Sequence, residues 1–161
     1  MIRAILCFVA EGVSIDRDSG QFTAYAVIER LAASAFPLLV PRLAFFCLWE
    51  RAGTDSQVPH AGLSVSLNGQ VLAHQEIPID FEQYLRTRCA IRLDMLTITE
   101  PGSLVFKLTV PDHHTAEWAI DILATEQAAS VIAASDLRPT RPLYESQPVS
   151  ISAGTLSVHR P

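Results

Sequence analysis

Leu43–Trp49, Leu-Ala-Phe-Phe-Cys-Leu-Trp, is the most hydrophobic run in the chain, and it limits the fold more than any other stretch. In an extended chain successive side chains point to opposite faces. Leu43, Phe45, Cys47 and Trp49 then share one face, and Ala44, Phe46 and Leu48 the other. A strand apolar on both faces belongs at the centre of a sheet covered on both sides. Pro41 precedes the run, where a missing N–H does least harm. The run is too short to cross a bilayer, and Pro41-Arg42 separates it from Phe36–Val40. We therefore expect Leu43–Trp49 to be the central strand of a soluble β-sandwich.

A chain of 161 residues is long enough for one domain with its own core. Charged residues make up 18% of it, below the usual quarter, which fits either a well-filled core or a surface covered by a partner or a second copy. The formal charge of −5 and the lack of a basic run argue against a nucleic-acid partner and against a polybasic membrane contact. Cys7, Cys47 and Cys89 are odd in number, widely spaced and without a Cys-x-x-Cys pair, so neither a disulfide framework nor a zinc pattern is expected. Each sits in an apolar, strand-like run, where cysteine acts as a small hydrophobe. Free thiols imply a reducing compartment. Arg3 followed by Ala4–Ala10 imitates a signal peptide, but no small-x-small site follows and Cys7 comes too early for a lipoprotein site. This stretch is expected to be the first strand of a cytoplasmic protein.

Turn signals divide the rest. Ile2–Ala10 is continuously apolar, and Glu11–Ile15 continues the strand or bulges from it. Asp16-Arg17-Asp18-Ser19-Gly20 is a cluster of turn formers, after which Gln21–Glu29 returns as a hairpin partner. Val27, Ile28 and Leu31 also fall at helical spacing within Ala24–Ala33, but β-branched and aromatic content favours strand. Ser34–Pro41 connects to the central strand, and Ala52–His60 is a polar loop. Ala61, Leu63, Val65 and Leu67 alternate with Gly62, Ser64 and Ser66 and run into Asn68-Gly69, a strong hairpin signal. Gln70–Ile79 returns, and Pro78 confines its end to an edge. Asp80–Arg88 is a charged connector with room for one helical turn. Cys89, Ile91, Leu93 and Met95 alternate with Ala90, Arg92 and Asp94. After Glu100-Pro101-Gly102, Leu104, Phe106, Leu108 and Val110 form one face of a strand. Pro111–His114 turns the chain, and Ala116, Trp118, Ile120 and Ile122 alternate in the last core strand.

About eight strands with regular punctuation predict an all-β protein, an antiparallel sandwich of immunoglobulin-like or related Greek-key type. It should span residues 1–123, and 124–161 should form an Ala/Ser/Pro-rich tail. Thr125–Leu137 could be a short helix capped by Thr125. Arg138–Pro161 should be extended or disordered, unless Pro148–Val158 adds an edge strand through Val149, Ile151 and Val158.

With the strands placed, the chain resembles a bacterial family of unknown function whose members are small cytoplasmic proteins. The similarity rests on Arg3-Ala4-Ile5-Leu6-Cys7, on the hairpin into Tyr25-Ala26-Val27-Ile28, and on the passage from Pro37-Leu38 to Phe45. It rests also on the closing Pro101-Gly102-Ser103-Leu104-Val105-Phe106-Lys107-Leu108-Thr109-Val110, and it covers about residues 1–123. The resemblance implies an all-β sandwich and brings no catalytic residue with it.

Candidate chemistry is sparse. Asp16–Gly20 opens like an EF-hand loop but lacks the third acid, the distal glutamate and flanking helices, and a hairpin turn accounts for every residue in it. His113-His114 is the one histidine pair. Asp112 adds an oxygen ligand, and His60 or His74 could approach in the fold. Neighbours in an extended segment point apart, however, which opposes a shared metal. Cys47 or Cys7 could act as a nucleophile with a histidine and an acid, but buried thiols are ordinarily inert. Trp49 and Trp118 are better placed to pack a core than to line a ligand pocket. No Gly-x-Ser-x-Gly elbow and no Gly-rich phosphate loop occurs.

The expectation is therefore a non-enzymatic binding or assembly module without a cofactor or catalytic residues. It would engage a protein partner or a second copy through sheet edges and the tail. The alternative is a metal- or small-molecule-binding protein using the loops at one end of the sandwich. Asp112, His113 and His114 would be its ligands, with Asp16 and Asp18 as further candidates. A cysteine hydrolase is a third class.

Overall fold

The computed structural model describes residues 1–16, 19, 21–125 and 150–154. The strands are β1 (Arg3–Ile15), β2 (Phe22–Val27), β3 (Arg30–Ala33), β4 (Leu38–Glu50), β5 (His60–Leu67), β6 (Gln70–Pro78), β7 (Arg86–Ile98), β8 (Gly102–Thr109), β9 (Thr115–Ala124) and β10 (Ser150–Gly154). They form two five-stranded sheets. Sheet A has the order β10-β7-β4-β1-β2 and sheet B the order β3-β9-β8-β5-β6. Neighbouring strands are antiparallel except β3 and β9, which run parallel. No helix among the described residues is long and apolar enough to cross a membrane.

The hydrophobic run lies where its two-faced pattern demands. β4 is the middle strand of sheet A, between β1 and β7. Leu43, Phe45, Cys47 and Trp49 are buried in the main core, facing Leu63, Val65, Leu104 and Phe106 of sheet B. Phe45 and Phe106 meet across the layers with ring centroids 5.7 Å apart. Each such large apolar side chain contributes about 1.5–3 kcal/mol on burial. The opposite face of β4 is buried as well. Phe46 joins Phe8 and Ala10 of β1 in a second, smaller cluster.

Several local expectations are corrected. β4 begins earlier than the apolar run, at Leu38, and contains Pro41. The β1–β4 ladder ends at the Ala10–Ala44 pair, so the missing N–H of Pro41 falls past it. Opposite Pro41, the β4–β7 register passes from Arg42–Asp94 to Val40–Leu96. The skipped residue, Met95, has φ of 60° and is exposed, so it leaves the face of Cys89, Ile91 and Leu93, and Leu96 and Ile98 are buried instead. A positive φ reverses the alternation at that residue, and side-chain pattern alone does not register it. Asp80–Arg88 makes no helical turn. Tyr84 N–H bonds Phe81 C=O at 2.8 Å around Glu82, whose φ of 51° is left-handed, and strand begins at Arg86. The helical alternative for Ala24–Ala33 is replaced by two strands in different sheets, β2 and β3, divided at Ile28-Glu29.

Turn chemistry fixes the corner shared by the β5–β6 and β7–β8 turns. Asn68 and Gly69 both have positive φ, 50° and 84°, as a two-residue hairpin loop requires. The Asn68 side chain then clasps the next turn: its Nδ2 donates to Glu100 Oε1 at 2.8 Å and its Oδ1 accepts from Ser103 N–H at 3.0 Å. Gly102, at φ 146°, lies beneath that amide, and a Cβ there would stand 1.8 Å from Asn68 Oδ1. The helix foreseen over Thr125–Leu137 falls outside the described residues, apart from Thr125. Of the tail, Ser150–Gly154 pairs antiparallel with β7 from Asp94 to Ala90, so the edge-strand alternative is the one formed.

Candidate functional site

The Pro111–His114 turn joins β8 to β9, with Asp112 in the left-handed region at φ 60°. His113 Nδ1 accepts the N–H of Ile2 at 3.2 Å, and His114 Nδ1 accepts the N–H of Ala4 at 3.4 Å. His114 N–H in turn donates to Ile2 C=O at 3.2 Å. The two rings therefore reach the same strand, contrary to the expectation that neighbours diverge, because the chain is turning here rather than extended. They act as fasteners: they tie the start of β9 to β1 and close one side of the sandwich. Each ring's Nδ1 lone pair is engaged, leaving Nε2 as the remaining ring nitrogen. Further along this seam Cys7 Sγ donates to Glu117 C=O at 3.3 Å, and Trp118 Nε1 donates to Ile28 C=O at 2.8 Å.

The other acids and histidines lie elsewhere. Asp16 follows the far end of β1, the strand whose beginning His113 and His114 touch. Thirteen extended residues separate the two ends, about 40 Å. Asp16 Oδ1 accepts from Ser19 N–H at 2.7 Å, the turn geometry expected of that cluster; Asp18 falls outside the described residues. His60 starts β5 and His74 lies within β6. Among the described residues no three His, Cys, Asp or Glu side chains gather to hold a metal ion.

The thiols are arranged in a way their spacing does not reveal. Cys7 pairs with Cys47 across β1–β4, and Cys47 with Cys89 across β4–β7, so the three form one row across sheet A. All are free. Burial pushes each thiol up, Cys47 well above its ordinary range and Cys89 to about 12. A thiol so shifted is protonated at neutral pH, and the thiolate is the nucleophile. Both tryptophans pack in the core; Trp49 Nε1 is buried without a hydrogen-bond partner among the described residues.

At the end of the molecule near the histidines, Arg51 is buried. Its guanidinium donates to the carbonyls of Tyr84 at 3.1 Å and Asp55 at 3.2 Å and lies over the Phe81 ring. This cation organises the Ala52–His60 loop, a role invisible in the sequence because its acceptors are backbone carbonyls. Asp55 is held below the usual carboxylate range, chiefly by the Met1 amino group and also by Ala52 N–H.

The remaining surfaces with binding character are strand edges. β6 is the last strand of sheet B and pairs only with β5 among the described strands. It runs Gln70–Pro78, and Val71 is 60% exposed. β2 ends sheet A on the other side, with Tyr25 and Val27 exposed. The free edge of β7 is taken by β10. An edge strand offers unpaired N–H and C=O groups to any further strand.

Residues 5–123 match the model of a family of unknown function, DUF6941, and the chain belongs to that family. No curated protein sequence matches it.

Proposed function

Taking membership of that family as the premise, we propose that the chain is a non-enzymatic binding or assembly module that takes a protein partner, or a second copy, by strand addition. The edges and the tail are its working parts. The observation that carries this is the pairing of Ser150–Gly154 with β7, because a segment distant in sequence completes a sheet edge in the manner by which an external strand would. β6 offers a longer edge of the same kind, with Val71 exposed on it. Main-chain pairing would supply affinity, and alternate side chains the selectivity. The free thiols accord with a cytoplasmic setting.

Size-exclusion chromatography with light scattering tests it on the full chain. The expected result is a mass above the monomer that falls on deletion of residues 126–161 or on Val71→Lys, which places a charge on the β6 edge. A strict monomer that is unchanged by both alterations, and that retains no protein from a native lysate, would overturn it.

A further inference from the structure

The two sulfur pairs in the row across sheet A are of different kinds. Val9 C=O accepts from Ile28 N–H at 2.8 Å, on the β2 side of β1. Backbone groups alternate sides along a strand, so Cys7, two residues before Val9, also turns its N–H and C=O away from β4. Cys7–Cys47 is therefore a non-hydrogen-bonded pair, the kind whose Cα atoms stand about 4.5 Å apart and whose side chains come closest. Cys47 turns its backbone groups toward β7 instead. Cys47–Cys89 is then a hydrogen-bonded pair, with Cα atoms about 5.5 Å apart and side chains farther from each other. A disulfide needs Cβ atoms about 3.5–4.5 Å apart. Of the two pairs, Cys7–Cys47 lies nearer that range.

Access separates the thiols in the same way. Cys47 and Cys89 are buried, 0% and 3% exposed, while Cys7 is partly open at the seam with β9. There its Sγ donates to Glu117 C=O at 3.3 Å. That bond needs the thiol proton, which a disulfide sulfur does not have. The Cys7 sulfur can therefore serve Glu117 or join Cys47, but not both.

We propose that Cys7 and Cys47 are an oxidation site for hydroperoxides, closing an intramolecular disulfide that releases β1 from Glu117 on β9. In the first step the Cys7 sulfur takes one peroxide oxygen: an S–O bond forms, the O–O bond breaks, and water leaves with the second oxygen. In the second step the Cys47 sulfur attacks the Cys7 sulfenic acid. The S–S bond forms, the S–O bond breaks, and the hydroxyl leaves as water with the Cys47 proton. Each sulfur gives up one electron, and the peroxide takes both. Cys7 meets the oxidant at the seam and Cys47 resolves it from inside, so the peroxide never has to enter the core. Burial pushes the Cys7 thiol up. Because the thiolate is the attacking form, the site answers sustained exposure to oxidant rather than a brief pulse. This site stands apart from the sheet edges, and its success or failure leaves the strand-addition reading untouched.

The reduced full-length chain treated with hydrogen peroxide over hours tests this. Free thiols are then blocked with an alkylating reagent under denaturing conditions, and peptides are mapped by mass spectrometry without reduction. The expected result is a Cys7–Cys47 linkage within one molecule, with Cys89 alkylated and the linkage reversed by a thiol reductant. Hydrogen exchange across Thr115–Trp118 should rise several-fold on oxidation and return on reduction. In Cys47→Ser the reaction should stop at a Cys7 sulfenic acid that dimedone traps, whereas Cys89→Ser should leave the linkage intact. The parent chain alone already decides the matter. A Cys47–Cys89 linkage, a bond joining two copies through Cys7, Cys7 carried on to sulfinic acid beside an intact Cys47 thiol, or three thiols left unchanged would each overturn the proposal.

Discussion

The outer faces of the two sheets were built by opposite rules. On β5 of sheet B the outward positions are polar or small, Gly62, Ser64 and Ser66, and beside them Lys107 on β8 pairs at 3.0 Å with Glu117 on β9. Sheet A instead turns three stacked phenylalanines outward, two of them buried, framed by Arg3, Glu50 and Arg86 at one end and Arg42 and Asp94 at the other. Sheet B buries one face in the main core, whereas sheet A carries an apolar cluster on each face. The contrast teaches that sheet B needs one neighbour and sheet A needs two.

The strongest way to break that contrast is to truncate aromatics on the two faces of β4. Phe45→Ala and Phe46→Ala should each cost about 3–5 kcal/mol in chemical denaturation, the usual loss for a buried phenylalanine. A cost below about 1 kcal/mol for Phe46→Ala would show that the outer face is no second core.

Sheet B owes its exactness to corners rather than to a second face. Gly102→Ala should therefore lose about 2–4 kcal/mol, from a strained φ and a Cβ driven into the Asn68 amide. The same substitution in an Asn68→Ala background should cost visibly less, since the clashing amide is gone. Equal costs in both backgrounds would assign the whole effect to backbone strain.

Two charge arrangements sharpen the comparison further. Glu50 accepts from Arg3 Nε at 2.9 Å and Arg86 Nε at 2.8 Å, and these two bonds hold its carboxyl below the usual glutamate range. A lowered folded-state value stabilises above the unfolded value and is lost as pH falls through the folded one. The melting temperature of Glu50→Gln should accordingly lie below that of the parent at pH 7 and converge with it as the pH drops beneath about 4. A gap that stays constant with pH would deny the carboxylate this role. The smallest effect belongs to sheet B: Lys107→Ala should change stability by no more than about 0.5 kcal/mol, as an exposed, single ion pair does.

Two-residue alternation made the β5, β8 and β9 strands of sheet B legible. Ala61 to Leu67, Leu104 to Val110 and Ala116 to Ile122 face as their pattern indicates. The two-sided run at Leu43–Trp49 likewise announced the middle strand of sheet A. What escaped was set by backbone dihedrals and by long-range register. The reversal at Met95 depends on one positive φ, and the division of Gln21–Ala33 between two sheets depends on Ile28 N–H reaching Val9 C=O and Asp121 N–H reaching Glu29 C=O. The histidine pair was legible as a turn but not as a fastening, because its acceptor atoms serve N–H groups more than a hundred residues away.

The sulfur row has a practical consequence. Cys47 and Cys89 lie between the layers, so an alkylating reagent reaches them only when the layers part, whereas Cys7 borders the seam and is partly accessible. Modification of the protein as it stands thus times two distinct events, a loosening of the seam and a separation of the sheets, without any introduced label.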